Sequence, residues 1–225
     1  MLNNLSPVVK NLLIINVVVY FGSSLLGVEG LLTGYYPSAP QFYPWQVITH
    51  MFMHASLSHI FFNMFALYMF GPNLERVWGS KRFLNYYIIC GLGAFALHEF
   101  VVGFQFYQDF GTFFPTADEV AYGLSGRMRA SVLAQTFNGV VGASGAVFGI
   151  LLGFGMLFPN TRLMLLFPPI PIKAKLFVLV YGAIELFLAF ENNPGDNTAH
   201  FAHLGGMIFG YILIKKWQKD RDAFY

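Results

Sequence analysis

Residues 142–158 read GASGAVFGILLGFGMLF and contain no charged side chain. They close an apolar run, 139–158, of roughly the 20 residues that a helix needs to cross a bilayer. The whole chain of 225 residues has this character, since 56% of it is hydrophobic and only 11% is charged, against about 25% in an ordinary soluble domain. A surface so poor in charge would not keep a protein of this size in water. The bilayer is therefore the expected solvent.

Five further apolar runs can be drawn, and no segment between them is large enough to fold as a separate soluble domain. We predict an all-α polytopic membrane protein, a single membrane domain over residues 1–225 with six transmembrane helices. The first run is longer than the apolar core of a signal peptide, so we expect it to be retained. The six expected spans are 12–32, 57–74, 83–104, 139–158, 172–190 and 198–214.

The basic residues predict the orientation of these helices. All 13 Lys and Arg residues except Arg127 and Arg129 fall in the N-terminal segment, in the loops 75–82 and 159–175, or in the C-terminal tail. Cytoplasmic loops of membrane proteins carry such an excess of positive charge. We therefore expect both termini in the cytoplasm and, in a bacterium, location in the inner (plasma) membrane. A net charge of +2 is too small to suggest a nucleic-acid partner.

Two of the expected outer loops have patterns of their own. Residues 33–49 carry no charge but five aromatic rings, which suits a segment lying in the membrane interface. Within residues 105–138, Thr116 and Glu119 form a capping-box pattern, and apolar residues follow at helical spacing. We expect an amphipathic interfacial helix there, with a loop of no regular structure as the alternative.

Polar side chains stand near the start of the second, fourth and sixth expected helices, although polar groups inside a membrane are costly. With both termini inside, these three helices all enter the membrane from the outer face. At 1.5 Å per residue, their polar groups lie on the order of 5–10 Å below that boundary. A hydroxyl, imidazoles and an amide thus reach one depth, as a shared site requires. The residues are His54, His59 and Asn63, then Ser144, then His200 and His203.

Glycines at every fourth position mark the fourth and sixth helices. They are Gly145, Gly149 and Gly153 in the fourth, and Gly206 and Gly210 in the sixth. Small residues at this spacing let helix backbones pack closely in lipid. If the two stripes face each other, Ser144 and His203 come within hydrogen-bond reach, and a base at that distance can activate a serine hydroxyl. Taken singly, such a serine or histidine is more often a packing or hydrogen-bonding residue.

Four motifs follow one another along the chain. HxxxxHxxxN covers 54–63, ExxxGS covers 75–80, GxSG covers 142–145 and AHxxGxxxG covers 202–210. Each motif alone is weak, but all four in order on six spans resemble the rhomboid protease family over about 45–215. The resemblance implies an intramembrane serine endopeptidase that needs no metal or other cofactor. Its partners would be membrane lipid and a transmembrane protein substrate, cleaved in or near its membrane span.

The resemblance also implies roles for individual residues. Ser144 would be the nucleophile and His203 the general base and then general acid, with no carboxylate as a third member. The Ser144 N–H and the side chains of His59 and Asn63 would form the oxyanion hole, with His54 as a supporting residue. The other expected supporting residues are Gly142, Gly145, Phe148 and Gly206.

Some of these positions carry expectations from the residues themselves. His59 and Asn63 are four residues apart and share one helix face, whereas His54 is expected to point away and to support the fold through buried hydrogen-bond partners. Phe148 stands where rhomboids often have Tyr, and it can stack on an imidazole but offers no hydroxyl. Gln46 stands where they commonly have Arg. Glu185, deep in the fifth helix, is either a structural hydrogen-bond partner, which we favour, or a gating element.

Two other classes of protein compete with this interpretation. The histidines at 50, 54, 59, 200 and 203 are similar to the clusters of di-iron membrane enzymes, but nearby carboxylates are few, and the HExxH motif of zinc proteases is absent. A transporter or a chaperone of membrane segments would be non-catalytic. Transporters, however, place their polar sites near the midplane, whereas these residues lie toward one face.

Overall fold

The structure is a computed structural model of the chain, and it describes residues 5–116, 118–119, 139–164, 169–191 and 199–222. Within these ranges the regular structure is helical apart from one short hairpin and the isolated Gly34–Val140 bridge, so the all-α prediction is confirmed for this part of the protein. The helices are α1 (Pro7–Leu26), α2 (Glu29–Leu32), α3 (Gln46–Thr49), α4 (Leu57–Trp78), α5 (Ser80–Phe110), α6 (Ser144–Leu157), α7 (Ala174–Glu191) and α8 (His200–Asp222). A 3₁₀ turn spans His50–Phe52, and strands β1 (Arg162–Met164) and β2 (Pro171–Lys173) pair antiparallel before α7.

The first predicted span, 12–32, is wrong at both ends. α1 begins at Pro7, a residue that suits the first helical position because its missing N–H would have no helical partner there. Gly27 follows the helix in the left-handed conformation, at φ 63°, and so ends it. The apolar residues up to 32 continue as the separate short helix α2.

The end of α4 is fastened to the start of α1. Oxygens of the Glu75 carboxylate accept the N–H groups of Val8 and Val9 at 3.0 Å each, which satisfies two of the donors that a helix start leaves without partners. The Ser80 hydroxyl donates to the same carboxylate at 2.7 Å. The ExxxGS motif therefore joins α1, α4 and α5 at one end of the bundle.

The segment between α1 and α4 is organised by Gln46. Its buried side chain donates from Nε2 to the carbonyl oxygens of Gly30 (3.2 Å) and Gln41 (3.0 Å), and its Oε1 accepts the Tyr43 N–H at 3.0 Å. At this position a neutral amide, rather than an arginine, holds the loop together.

The third helix is longer than its predicted span, 83–104. α5 runs for 31 residues to Phe110, and Gly111 at φ 73° ends it. The capping box beyond it is confirmed, because the Thr116 N–H donates to the Glu119 carboxylate at 2.7 Å and the Glu119 N–H donates to the Thr116 hydroxyl oxygen at 3.3 Å. The interfacial helix expected after it falls on 120–138, which lie outside the described residues.

The fourth helix begins later than predicted, at Ser144 rather than at 139. Gly139 and Gly142 have φ values of 66° and 132°, which no helical residue adopts. Between them, Val140 exchanges backbone hydrogen bonds with Gly34, at 2.7 and 3.0 Å. The residues before Ser144 are therefore held outside the helix, and the serine becomes the first residue of α6.

The remaining spans differ from the structure mainly at their ends. α7 covers Ala174–Glu191 against the predicted 172–190. α8 begins at His200 rather than at 198 and continues well past 214, to Asp222. The basic tail predicted to follow the last span is thus part of the helix itself.

The glycine stripes of α6 and α8 face each other over their first turns. A Cβ placed on Gly206 would overlap the backbone of Gly145, and one placed on Gly149 would lie 3.1 Å from the Gly206 carbonyl oxygen. Gly210 instead faces the side chain of Tyr86 in α5, and Gly153 faces Trp78 and Leu74 of α4 as well as Tyr86. The closest approach of the two helices is therefore beside Ser144.

At each end of the bundle, segments that are predicted to lie on the same side of the membrane are in contact. The guanidinium of Arg82 lies 5.9 Å from the ring centre of Trp217, which brings together the start of α5 and the end of α8. The Gly34–Val140 pairing joins the predicted outer loop 33–49 to the start of the fourth predicted span, 139–158, which is expected to enter from the outer face. Which end faces the cytoplasm stays a prediction.

Two of the described helices are long and apolar enough to cross a bilayer by length and composition. They are α1 and α5, each with a mean hydropathy of 1.7 over its 18-residue window. α1 also exposes large apolar side chains, such as Leu25 at 85%, as a lipid-facing helix would. The other four spans stay predictions.

Candidate active site

The structure brings Ser144 and His203 together. Ser144 is the first residue of α6, and His203 lies in the first turn of α8. The Ser144 Oγ is 2.9 Å from the Nε2 of His203. The close approach of Gly145 and Gly206 allows this contact, because a side chain on Gly206 would overlap the backbone of Gly145 and separate the two helices. A hydroxyl at this distance from an imidazole nitrogen can pass its proton to that nitrogen.

The plane of the His203 ring is fixed by Phe148. The two ring centroids are 4.2 Å apart and the ring planes differ by 10°, which is a stacked arrangement. Phe148 lies one helical turn after Ser144, so one face of α6 carries both the hydroxyl and the ring that supports its partner. Tyr181 of α7 packs against Phe148 in turn, with centroids 5.9 Å apart.

The His59 ring lies beside Gly142. A Cβ built on Gly142 would be 2.9 Å from the Nε2 of His59 and 3.5 Å from the Ser144 Oγ, so the two groups flank the same small space. The Ala55 N–H donates to the Nδ1 of His59 at 3.4 Å. Because Nδ1 accepts, the neutral ring carries its proton on Nε2 and can donate into that space.

Ser144 itself and Asn63 each carry a further N–H donor. The Ser144 N–H is among the first N–H groups of α6, which have no partner within their own helix. Asn63 is buried one turn after His59 on α4, and its side-chain amide donates to the His59 carbonyl oxygen at 3.1 Å. Since that amide has two N–H bonds, one of them stays available.

The structure corrects the expectation for His54. This residue precedes α4, and its buried ring packs edge-on against His59, with centroids 5.0 Å apart. Neither ring nitrogen has a hydrogen-bond partner by distance and angle among the described residues, so the expectation that His54 supports the fold through buried hydrogen bonds is wrong. Its direction relative to the expected oxyanion hole stays a prediction. Burial, and then the proximity of His59, lower the pKa of His54 to about 3, which keeps the ring neutral at pH 7.

A carboxylate lies behind the His203 ring, although the family resemblance implies none. The Oε2 of Glu185 in α7 is 2.9 Å from the Nδ1 of His203 and 2.7 Å from the Nδ1 of His200. Glu185 therefore is a hydrogen-bond partner that links α7 to α8, as favoured from the sequence. Nothing in the sequence predicts the contact with His203 in particular; the only signal is that Glu185 is a charged residue in an apolar helix.

These three residues also form a group, among the described side chains, whose ligand atoms lie near enough to hold a metal ion, within 4.8 Å of one another. Two ligands of a tetrahedral zinc ion lie about 3.3 Å apart. The carboxylate oxygen is only 2.7 and 2.9 Å from the two imidazole nitrogens, which is the range of N–H···O hydrogen bonds. These distances favour hydrogen bonds between the carboxylate and the two imidazoles over the binding of a metal ion. His50 is separate from this group, with its Nδ1 at 2.9 Å from the Gln46 carbonyl oxygen.

Comparison with known proteins places the site in a family context. Residues 41–217 match the family model described as the Rhomboid domain. Over 223 residues, 96% of this chain and 92% of the relative, the chain is 26% identical to YdcA of Bacillus subtilis (strain 168). It is 30% identical over 178 residues to RHOMBOID-like protein 12, mitochondrial, of Arabidopsis thaliana, covering 79% of this chain and 48% of that protein. It is 26% identical over 170 residues to Rhomboid protease AarA of Providencia stuartii, covering 75% of this chain and 54% of that protein. The chain thus spans nearly all of the first relative but about half of the other two.

Proposed function

Because the chain belongs to the rhomboid family, we propose that it is an intramembrane serine endopeptidase acting on transmembrane protein substrates. The observation that carries the proposal is the 2.9 Å contact between the Ser144 Oγ and the His203 Nε2, with the imidazole stacked on Phe148. The hydroxyl and its base come from helices far apart in sequence, and close glycine packing holds them together. A serine placed for packing alone would not need a base at hydrogen-bond distance.

In the proposed reaction, Ser144 attacks the carbonyl carbon of a substrate peptide bond. The hydroxyl proton passes to the Nε2 of His203 as the Oγ–C bond forms, and the carbonyl π electrons move onto its oxygen. When the tetrahedral intermediate collapses, the C–N bond breaks and His203 gives its proton to the leaving amine. A water molecule then repeats the sequence on the acyl-enzyme and releases the second product as a carboxylic acid.

The negative oxygen of the intermediate needs donors already in position. We assign this role to the Ser144 N–H, the His59 Nε2–H and the free N–H of the Asn63 amide. The His59 ring and Ser144 flank Gly142, where the absence of a side chain leaves room for the oxygen, and Asn63 lies one helical turn after His59 on α4. Donors that are fixed before the charge develops typically contribute about 10²–10³ each in kcat.

The remaining features fit an enzyme that works within the bilayer. The substrate would be a transmembrane protein cleaved in or near its span, with lipid as the surrounding solvent and both termini of the enzyme in the cytoplasm. No metal is required by this chemistry, since the proton acceptor and the oxyanion donors are all side-chain or backbone groups.

The proposal is tested by reconstituting the purified protein with a single-span model substrate and following cleavage. We expect activity that is lost in Ser144→Ala and kept in Ser24→Ala, a serine exposed on α1. Metal analysis of the same sample separates this mechanism from that of a di-iron enzyme. Cleavage that survives in Ser144→Ala, or that requires a stoichiometric metal, would contradict the proposal.

A further inference from the structure

Building on the proposed serine protease function, we propose that Glu185 is a positioning residue that holds the His203 imidazole in its working tautomer. The site would then be a serine–histidine–glutamate arrangement, with one residue from each of α6, α8 and α7. His200 would orient the carboxylate. This role goes beyond the serine–histidine pair that the family resemblance implies.

The hydrogen-bond geometry defines the role. The carboxylate of Glu185 can only accept, so the Nδ1 of His203 at 2.9 Å must donate to it. A neutral imidazole has one N–H, and with the proton on Nδ1 the Nε2 is left as an acceptor. The Nε2 is the atom that lies 2.9 Å from the Ser144 Oγ. One hydrogen bond thus prepares the other end of the ring to receive the serine proton.

Stacking on Phe148 cannot supply this selection. A phenyl ring at 4.2 Å fixes the plane of the imidazole, but it attracts both neutral tautomers equally. Without the carboxylate, the proton could move to Nε2, and the ring would then offer a donor to Ser144 where an acceptor is needed. The carboxylate also lies where it stabilises the positive charge that His203 acquires during the reaction.

His200 completes the arrangement around the carboxylate. Glu185, His200 and His203 are only 6, 9 and 8% exposed, so little water reaches the carboxylate, and an ionised group there needs protein donors. The Nδ1 of His200 supplies a second donor at 2.7 Å to the same Oε2. With two imidazole N–H groups on one oxygen, the carboxylate is both oriented and compensated for the loss of water.

The experiment compares four variants of the purified, reconstituted protein. Glu185→Gln keeps the shape but removes the charge, Glu185→Leu removes the acceptor, and Glu185→Asp restores a carboxylate on a shorter side chain. Glu191→Gln is the matched control, because Glu191 is an exposed carboxylate at the end of the same helix. For each we would measure kcat and KM on a model transmembrane substrate, the melting temperature, and the ¹⁵N chemical shifts of the histidine rings. His203→Ala identifies the His203 signals.

We expect the wild type to show His203 protonated at Nδ1, and the Leu and Gln variants to lose that preference. The Leu variant should lower kcat by roughly 10²–10⁴ with little change in KM, as in other serine enzymes whose orienting carboxylate is altered. The Asp variant should recover part of the loss, and Glu191→Gln should behave as wild type. If the Leu variant fails to fold, the isosteric Gln variant carries the test.

Three results would overturn the inference. The first is a wild-type His203 whose proton lies on Nε2. The second is a set of Glu185 variants in which kcat falls only together with the melting temperature while the tautomer stays unchanged, since that is the pattern of a structural bridge. The third is a metal ion bound stoichiometrically between the carboxylate and the two histidines. If the wild type cleaves nothing, the proposed function fails, and the ¹⁵N measurement still decides the role of Glu185.

Discussion

Gly142→Ala should damage catalysis through a single added methyl group. Gly142 has φ 132°, a conformation that L side chains rarely adopt, and holding alanine there costs about 1–3 kcal/mol of folding free energy. The added Cβ would also stand 2.9 Å from both Cε1 and Nε2 of His59, closer than carbon atoms normally approach, so the ring must move. If the movement removes one oxyanion donor, kcat should fall by about 10²–10³.

The assay measures kcat on a model transmembrane substrate together with the melting temperature, in one detergent. Gly139→Ala is the control, because Gly139 also has a positive φ, of 66°, but its added Cβ would meet Thr33 and Gly34 rather than His59. We expect both variants to lose stability and only Gly142→Ala to lose most of its kcat. Wild-type kcat in a folded Gly142→Ala protein, or an equal loss in Gly139→Ala, would refute this account of the oxyanion space.

Ser144→Ala and His203→Ala should each reduce cleavage to background, and the double variant should be little worse than either, because the pair acts as a unit; additive losses would contradict this. His59→Ala and Asn63→Ala should lower kcat more than KM and leave the melting temperature nearly unchanged, and wild-type kcat in either would remove that residue from the site. Burial acts to raise the pKa of Glu75, at the end of α4, but hydrogen bonds from nearby hydroxyl and backbone N–H groups outweigh it and hold the pKa below the ordinary 4.5. The stability that Glu75 contributes is therefore present above pH 4.5 and is lost as the pH falls through the lower folded-state value, so Glu75→Gln should flatten the melting temperature profile in that acidic window.

The sequence predicted that Ser144 and His203 could come within hydrogen-bond reach, because that prediction depends on short-range rules. Basic residues predict the end from which each span enters the membrane, and a rise of 1.5 Å per residue then predicts a similar depth for Ser144 and His203. The glycine spacing predicted which helices approach closely, and Gly145 and Gly206 do meet. Predicting these features requires only the spacing of residues within each helix, and not the rotation of one helix relative to another.

The contacts of Glu185 and His54 could not be predicted in this way. The partner of Glu185 depends on how α7 is rotated and how far it is shifted along α8, which no local pattern in an apolar helix specifies. Helical periodicity cannot predict the surroundings of His54, because His54 precedes the first residue of α4. In the same way, hydropathy predicts a helix start at 139, because apolar character continues through Gly139 and Gly142, whereas their positive φ values keep these residues outside α6.

The most direct test of the central claim is to locate the adduct of a fluorophosphonate on the intact protein by peptide mass spectrometry. The reagent requires a serine whose proton is removed by a neighbouring base. We expect one adduct, on Ser144, that disappears in Ser144→Ala and is strongly reduced in His203→Ala. An adduct on another residue, or undiminished labelling of Ser144 when His203 is absent, would contradict the claim that these two residues form the catalytic pair.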